Sequence, residues 1–339
     1  MIDLKKLVRP NILSLQPYSS ARSEFSGTSE IWLDANENPF GNLNRYPDPV
    51  QSALKNRLSE IKKCATDQIF IGNGSDEAID LCFRIFCEPG RDKAVIFTPT
   101  YGMYQVSADI NDVEIIEVPL NADFQIDFDA FSKLDRLNIK MLLLCSPNNP
   151  TGNRLENLER ILSEFDGIVV LDEAYADFAA ENSLLPKLSD FPNLIILQTL
   201  SKAWGLAALR IGMAFASLEI IAIFNKVKPP YNIGTVPQQL ALTALGDMTG
   251  FDGRLRLLLE ERTKLESKLE QLDSVERIFA SDANFILVKF RDAARVYKSL
   301  VTAGIVVRNR SAQIPDTLRI SIGTPQENQK LVQTLKNIK

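Results

Sequence analysis

Short apolar segments that alternate with helical stretches constrain the fold of this chain more than any other feature of its sequence. Most of these segments are apolar throughout, so we expect helices to cover both of their faces. The segments read as strands at residues 94–97, 113–118, 141–145, 168–171, 194–199 and 212–215. Strands and helices in this order predict an α/β fold with a large, doubly wound and mostly parallel sheet.

The pattern changes in the last third of the chain. A long helical stretch at 255–272 precedes further strands and a helix, which together predict a smaller α+β domain; the strands are 285–290, 305–307 and 318–322, and the helix is 293–303. The first forty residues are polar, interrupted by Pro and Gly, and read as an arm. With 339 residues the chain suits two domains. We predict an arm at 1–40, a large domain at 41–245 and a small domain at 246–339.

Charge and composition exclude several classes of function. The net charge of −5 argues against general binding to a nucleic-acid backbone, which needs clustered Lys and Arg. The chain has no histidine, which excludes Ser-His-Asp catalysis and imidazole-bound zinc. Proton transfer near neutral pH must therefore use another group, and a perturbed lysine is the leading candidate.

Targeting signals and reactive cysteines are not evident in the sequence. No apolar run reaches the roughly 20 residues that span a bilayer. The N-terminus lacks the apolar core and cleavage site of a signal peptide, so we expect a cytoplasmic protein. The four cysteines form no CxxC pair, and we expect them to be buried thiols rather than redox or metal-binding groups.

Two turns follow apolar strands and could approach a ligand. The segment Gly72-Asn-Gly-Ser-Asp76 precedes an apolar helical stretch, and Ser75 or Asp76 could cap that helix. Free N–H groups at a helix start attract anions such as phosphate, although a simple capped turn explains this segment equally well. The loop Ser146-Pro-Asn-Asn-Pro-Thr-Gly152 falls at the carboxyl end of a strand, where doubly wound sheets bind ligands, and holds Asn149 in a fixed position.

Two further segments carry ionisable groups at strand ends. Asp172 and Glu173 end an apolar strand, where a carboxylate needs a cation, a protonated ring nitrogen or a helix N-terminus nearby. A magnesium pair is a weaker alternative because no GxxxxGK[ST] loop accompanies it. Lys202 follows another strand, with hydroxyls at Thr199 and Ser201 and a guanidinium at Arg210. A lysine in such surroundings can be partly neutral and form an imine.

Read together, these segments resemble the fold-type-I aminotransferases, which use pyridoxal phosphate (PLP). The cofactor-lysine signature is Ser201-Lys-Ala-Trp-Gly-Leu-Ala-Ala-Leu-Arg-Ile-Gly212, preceded by SPNNPTG and LDEAY in the expected order. Within that superfamily the sequence resembles the histidinol-phosphate aminotransferase family most closely. The segments that carry this likeness are 16–22, 33–41, 45–48, 282–285 and 318–323. The resemblance covers nearly the whole chain.

The resemblance implies a role for each matching residue. Lys202 would hold the cofactor as a Schiff base and carry the catalytic proton. Asp172 would pair with the ring nitrogen, Asn149 and Tyr175 would bind the phenolic oxygen, and Tyr101 would stack on the ring. The phosphate would be bound by Ser75, Asp76, Thr199, Ser201 and Arg210, and by Tyr46 of a second copy, which makes the chain a homodimer. No metal is implied.

The substrates implied by the resemblance are histidinol phosphate and 2-oxoglutarate, in a step of histidine biosynthesis. Arg308 and Arg319 would bind the anionic end of the substrate, and Tyr18, Asn36 and Asn149 would line the same pocket. Arg310 lies two residues from Arg308 and is an alternative second contact. An aromatic or broad-specificity aminotransferase, or a threonine-phosphate decarboxylase, would share the cofactor motifs. A regulator of this fold would need an added DNA-binding segment, and the sequence has none.

Overall fold

The structure, a computed structural model, describes residues 3–19, 31–179 and 183–338. Its strands are β1 (Ile69–Asn73), β2 (Lys93–Thr98), β3 (Glu114–Pro119), β4 (Ile139–Cys145), β5 (Ile168–Asp172), β6 (Leu194–Thr199), β7 (Ile211–Phe215), β8 (Val275–Ile278), β9 (Phe285–Phe290), β10 (Arg308–Asn309) and β11 (Thr317–Ser321). Its α-helices are α1 (Leu4–Leu7), α2 (Pro10–Ser14), α3 (Ser52–Lys62), α4 (Ser75–Phe86), α5 (Met103–Ile110), α6 (Phe128–Ser132), α7 (Leu158–Glu164), α8 (Leu218–Val227), α9 (Thr235–Gly246), α10 (Met248–Leu269), α11 (Ala293–Thr302) and α12 (Pro325–Lys336).

Within the described ranges, β1 to β7 form a seven-stranded sheet in the order β1-β7-β6-β5-β4-β2-β3. Strand β7 runs antiparallel to both of its neighbours, and the strands from β6 to β3 pair in parallel. The predicted mostly parallel sheet is therefore confirmed. Because parallel strands end at one edge, the carboxyl ends of β4, β5 and β6 bring Cys145, Asp172 and Thr199 to the same edge.

Both faces of this sheet are buried, as the continuous apolar strands predict. Along β4, Leu142 and Leu144 belong to one apolar cluster, whereas Met141 and Leu143 belong to a second one. Successive side chains of a strand point to opposite faces, so the two clusters lie on opposite sides of the sheet. Helix α4 contributes its apolar face to the second cluster, and this contact fixes the start of α4 against the sheet.

The last third of the chain forms an antiparallel sheet in the order β10-β11-β9-β8. A separate apolar cluster joins it to α10, α11 and α12. The strand expected at 305–307 is wrong, since the ladder begins only at Arg308. Gly304 has a left-handed φ of +75° and the Ile305 N–H bonds to the Leu300 carbonyl, so this segment completes the end of α11 instead.

The N-terminal segment and one helix cap also differ from expectation. Residues 4–14, read from sequence as irregular, contain two short helices; Val8 between them and Ile12 in the second are buried in the second apolar cluster. Helix α4 is capped by Gly74, not by Ser75 or Asp76, because its φ of +75° and ψ of 170° suit glycine. No described helix has the length and apolar character to cross a membrane.

Candidate active site

Lys202 lies in the turn after β6, at the carboxyl edge of the large sheet. Its amine lies 5.6 Å from the centre of the Tyr175 ring. Burial lowers the pKa of Lys202, with a further decrease from the charges of Arg319 and Arg210 that Asp172 and Asp76 oppose. A larger share of the amine is therefore neutral at physiological pH than for an exposed lysine, as imine formation requires.

Asp172 ends β5 beside this amine and is 3% exposed. The hydroxyl of Tyr104 donates to one carboxylate oxygen at 2.9 Å, and the backbone N–H of Ala174 donates to the other at 3.0 Å. Burial raises the pKa of Asp172 to about 6, although both hydrogen bonds act to lower it. Asp172 is thus mostly ionised at physiological pH, and a buried carboxylate of this kind suits a cationic ring nitrogen.

The aromatic residues after β2 connect Asp172 to the start of α4. The Tyr101 and Tyr104 rings meet edge to face, with centroids 5.6 Å apart. The Tyr101 hydroxyl donates to Asp76 at 3.2 Å, and Arg210 approaches the other Asp76 oxygen at 3.5 Å. Tyr104 did not stand out in the sequence, although it lies one helical turn beyond Tyr101.

A close backbone contact shapes a candidate anion site at the start of α4. No side chain caps this twelve-residue helix, so the N–H groups of its first turn face outward. A Cβ added at Gly212 would collide with the backbone of Gly74 and Ser75, and one at Gly74 would lie 2.6 Å from an Arg210 nitrogen. Only glycine at both positions lets the strand, the helix start and the guanidinium meet.

Thr199 and Ser201 lie on the Lys202 side of this site. Thr199 is buried; its hydroxyl donates to the Ile211 carbonyl at 3.2 Å and accepts the Ser201 N–H at 3.1 Å. The turn that carries Lys202 is thereby tied to the start of β7. The predicted phosphate ligands at the start of α4, at and after the end of β6, and just before β7 therefore lie close together.

The small sheet contributes an arginine that reaches the loop after β4 of the large sheet. Arg319 on β11 donates to the side-chain oxygen of Asn149 in the Pro-rich loop. Its guanidinium carbon lies 5.1 Å from the centre of the Phe285 ring, and Phe285 in turn meets Tyr175 edge to face at 5.1 Å. Arg319 Nε is buried and has no partner among the described residues. An unpaired buried donor of this kind suits an anionic ligand.

Arg308 and Arg310 lie beside Arg319. Arg308 is the direct cross-strand partner of Arg319, and side chains paired in this way share a face. Arg310 Nε is also buried without a partner, and burial followed by the charge of Arg319 lowers the pKa of Arg310. Within the described ranges none of the three arginines forms an ion pair. Their uncompensated charge suits a dianion such as a phosphate.

Three predicted residues are exposed to solvent in the single chain. Tyr18 is 73% exposed, and Asn36 is also exposed. Tyr46 is half exposed and stacks on Tyr231, with ring centroids 4.4 Å apart. Part of the N-terminal segment at 16–22, namely residues 20–22, lies outside the described residues.

Glu173, the second carboxylate at the end of β5, has a structural environment. It accepts hydrogen bonds from the Ser183 hydroxyl at 2.6 Å, the Leu184 N–H at 2.9 Å and the Gln198 amide at 2.9 Å. No cluster of three or more potential metal-ligating side chains is found in the described part of the chain. Asp172 and Glu173 therefore have separate environments, and Glu173 anchors the loop near residue 183.

The residues at this edge fit PLP by their chemistry. An amine with a lowered pKa matches an aldehyde, a buried carboxylate matches a ring nitrogen, and an uncapped helix start beside Arg210 matches a phosphate. The fold and this set of groups define a PLP-dependent aminotransferase of fold type I.

Comparison with known proteins identifies the family. Residues 18–335 match the family described as aminotransferase class I and II, and the chain belongs to that family. It is 51% identical to the histidinol-phosphate aminotransferase of Parabacteroides distasonis, over 100% of both chains. It is 52% identical to the enzyme of the same name from Bacteroides fragilis strain ATCC 25285, over 99% of each chain.

Solved structures agree with the fold. The histidinol-phosphate aminotransferase from Clostridium acetobutylicum is 25% identical and superposes with a TM-score of 0.80 over 88% of this chain and 91% of that one. The protein of this name from Sinorhizobium meliloti, solved in complex with pyridoxal-5'-phosphate, is 24% identical with a TM-score of 0.78, over 90% of this chain and 89% of that chain. The predicted fold class is confirmed, and PLP is the cofactor of this family.

Proposed function

We propose that this chain transfers the amino group between histidinol phosphate and 2-oxoglutarate, the reaction that produces histidinol phosphate in histidine biosynthesis. The observation that carries the substrate assignment is the group of three arginines, Arg308, Arg310 and Arg319, none of which forms an ion pair in the described part of the chain. A phosphate can accept several guanidinium hydrogen bonds at once. Relatives that share half of the sequence over its whole length bear the same name.

PLP, when bound, supplies an aldehyde that condenses with amines and a ring that withdraws electrons from the substrate α-carbon. Lys202 would bind it and then accept the α-carbon proton at Nζ, because burial and Arg319 favour its neutral amine. Asp172 would supply the anion that keeps the ring nitrogen protonated. The start of α4 and Arg210 would bind the phosphate, and Tyr101 would contact the ring face.

The small sheet would select the substrate. Arg319 and Arg308 share a face of β10 and β11, and Arg319 reaches Asn149 at the edge of the large sheet. An anion bound by these arginines therefore lies on the same side as Lys202. Glutamate and 2-oxoglutarate present a carboxylate to the same guanidinium groups, so one anion site can serve both half-reactions.

A direct assay tests the reaction. The cofactor-loaded protein is incubated with histidinol phosphate and 2-oxoglutarate, and we expect glutamate to form, with Lys202→Ala as the inactive control. Aromatic amino acids in place of histidinol phosphate test the broad-specificity alternative. Release of carbon dioxide from threonine phosphate, without glutamate from histidinol phosphate, would overturn the assignment.

We further propose that the active site is completed by a second copy of the chain. The segment near Tyr46 exposes several large apolar side chains, namely Leu33 (88% exposed), Phe40 (82%), Leu43 (72%) and Val50 (52%). Exposed apolar groups concentrated in one segment favour a protein interface. We also propose that the chain divides into an arm, a large domain and a small domain, and that the protein is cytoplasmic.

Subunit complementation tests this arrangement. If Tyr46 acts in the neighbouring site, Tyr46→Ala and Lys202→Ala homodimers are both impaired, but a mixed dimer contains one intact site. Random reassociation of equal amounts should then restore about a quarter of the parental activity, since half of the dimers are mixed and each has one working site. No recovery after subunit exchange, verified by mass-tagged subunits, would contradict the shared site.

A further inference from the structure

Asp172 accepts two hydrogen bonds, and one of them comes from a side chain. Of its two oxygens, one accepts the Ala174 N–H and the other accepts the Tyr104 hydroxyl at 2.9 Å. Tyr104 is fully buried, and its ring is fixed against Tyr101. Water has no access to replace the phenol, so its loss would leave one oxygen of a buried carboxylate without a donor.

The direction of this hydrogen bond is fixed. Burial, followed by the nearby Asp172 and Cys145, raises the pKa of Tyr104 well above that of a free phenol. Tyr104 therefore keeps its proton at physiological pH and can only donate to an ionised Asp172. A donor favours the carboxylate anion over the neutral acid.

We propose that Tyr104 is a positioning residue that orients Asp172 and holds it as the anion that the ring nitrogen of PLP requires. The inference rests on the cofactor site of the proposed function, but not on the identity of the substrate. Tyr104 belongs to α5, where its hydroxyl contacts Asp172 and its ring contacts Tyr101.

Other ionisable groups near Asp172 do not duplicate this task. They are Cys145 on β4, Asp76 on α4, Lys202 after β6, and the phenols Tyr101 and Tyr175. Asp76 disfavours the anion, and Lys202 favours it only through its charge. Cys145 directs its thiol to the Pro147 carbonyl at 3.4 Å. Tyr104 is the one side chain in the described ranges that donates a hydrogen bond to Asp172.

The pH dependence of PLP binding to the apoprotein measures this role. Because the chain has no histidine, few side chains titrate between pH 5 and 8, and the buried Asp172 is a principal one. PLP is added to apoprotein between pH 5 and 9, and its dissociation constant is followed by fluorescence quenching. The Tyr104→Phe variant is compared with the parent, and Tyr297→Phe, on α11 of the small-sheet unit, serves as a matched control.

We expect Tyr104→Phe to bind PLP nearly as well as the parent at pH 9 but about tenfold more weakly at pH 6, because Asp172 must lose a more tightly held proton. In the Asp172→Asn background, Tyr104→Phe should leave the profile unchanged. Equal weakening at every pH, or no change at any pH, would show a packing role and overturn the proposal.

Folding failures are also informative. If Tyr104→Phe does not fold but Tyr104→Phe/Asp172→Asn does, the hydroxyl is needed only when a carboxylate is present, which supports the proposal. If neither folds, the hydroxyl acts on the core rather than on Asp172, and the proposal fails. A correct binding profile without transfer from histidinol phosphate would refute only the substrate assignment.

Discussion

Replacing Gly212 with alanine should weaken both the fold and the cofactor site. The added Cβ would lie 2.8 Å from the Gly74 carbonyl oxygen and closer still to the Ser75 nitrogen. Ordinary contact begins at 3.4 Å, so the Gly74 oxygen must move away by about 0.6 Å, and the Ser75 nitrogen must move farther. All of the obstructing atoms are backbone, and strand β7 is held by pairing with β1 on one side and β6 on the other. The start of α4 must therefore move.

Two consequences of this movement can be measured separately. Overpacking of a rigid site lowers the free energy of unfolding by about 1–3 kcal/mol, which urea denaturation of the apoprotein measures. Displacing the N–H groups that we propose bind the phosphate should raise the dissociation constant of PLP by about 10- to 100-fold, which fluorescence quenching measures. Gly253→Ala is the matched control, because a Cβ there meets nothing within 4 Å. In the middle of α10 it should stabilise by about 0.5–1 kcal/mol. Parental stability and PLP affinity in Gly212→Ala would refute this reasoning.

The other predictions concern ionisable groups. Lys202→Ala should lose the borohydride-fixable cofactor and nearly all transfer; label retained on the peptide containing position 202 would exclude the assignment. Arg319→Lys keeps a charge but loses the guanidinium fork, so the KM for histidinol phosphate should rise about 10- to 100-fold, and an unchanged KM would place the anion elsewhere. Burial raises the Asp172 pKa from 3.8 to about 6. Ionisation therefore destabilises folded apoprotein progressively from about pH 4 to 6, by up to about 3 kcal/mol, and Asp172→Asn should gain that much relative to the parent by pH 8. Urea denaturation at pH 4 and 8 measures this gain, and a pH-independent difference would contradict it.

The large sheet could be predicted from sequence because its strands are buried on both faces. Such strands are apolar throughout, and the predicted strand 194–199 agrees with the structure to the residue. Strand β8 could not be predicted, since Glu276 and Arg277 occupy its centre and both are exposed. The segment 305–307 was wrongly predicted as a strand because it is apolar and β-branched, although Val306 is 81% exposed.

The candidate site was predictable where chemistry demands particular residue types at a strand end, as for Asp172 and Lys202. Contacts that depend on packing were not. The sequence does not reveal that Tyr104 reaches Asp172, because the contact joins a helix after β2 to a strand 68 residues away. The tight approach of Gly212 to Gly74 likewise depends on the reversed strand β7 lying between β1 and β6.

The pairing of Arg319 with Asn149 places the two halves of substrate handling on different sheets. Bond-making groups belong to the edge of the parallel sheet, and the guanidinium groups belong to β10 and β11. If both groups bind the substrate as proposed, we expect the distance between them to limit the length of the molecules that are accepted. Natural variation in β10 could therefore retune which molecules are accepted while the reactive centre stays untouched, one route by which a single scaffold diversifies.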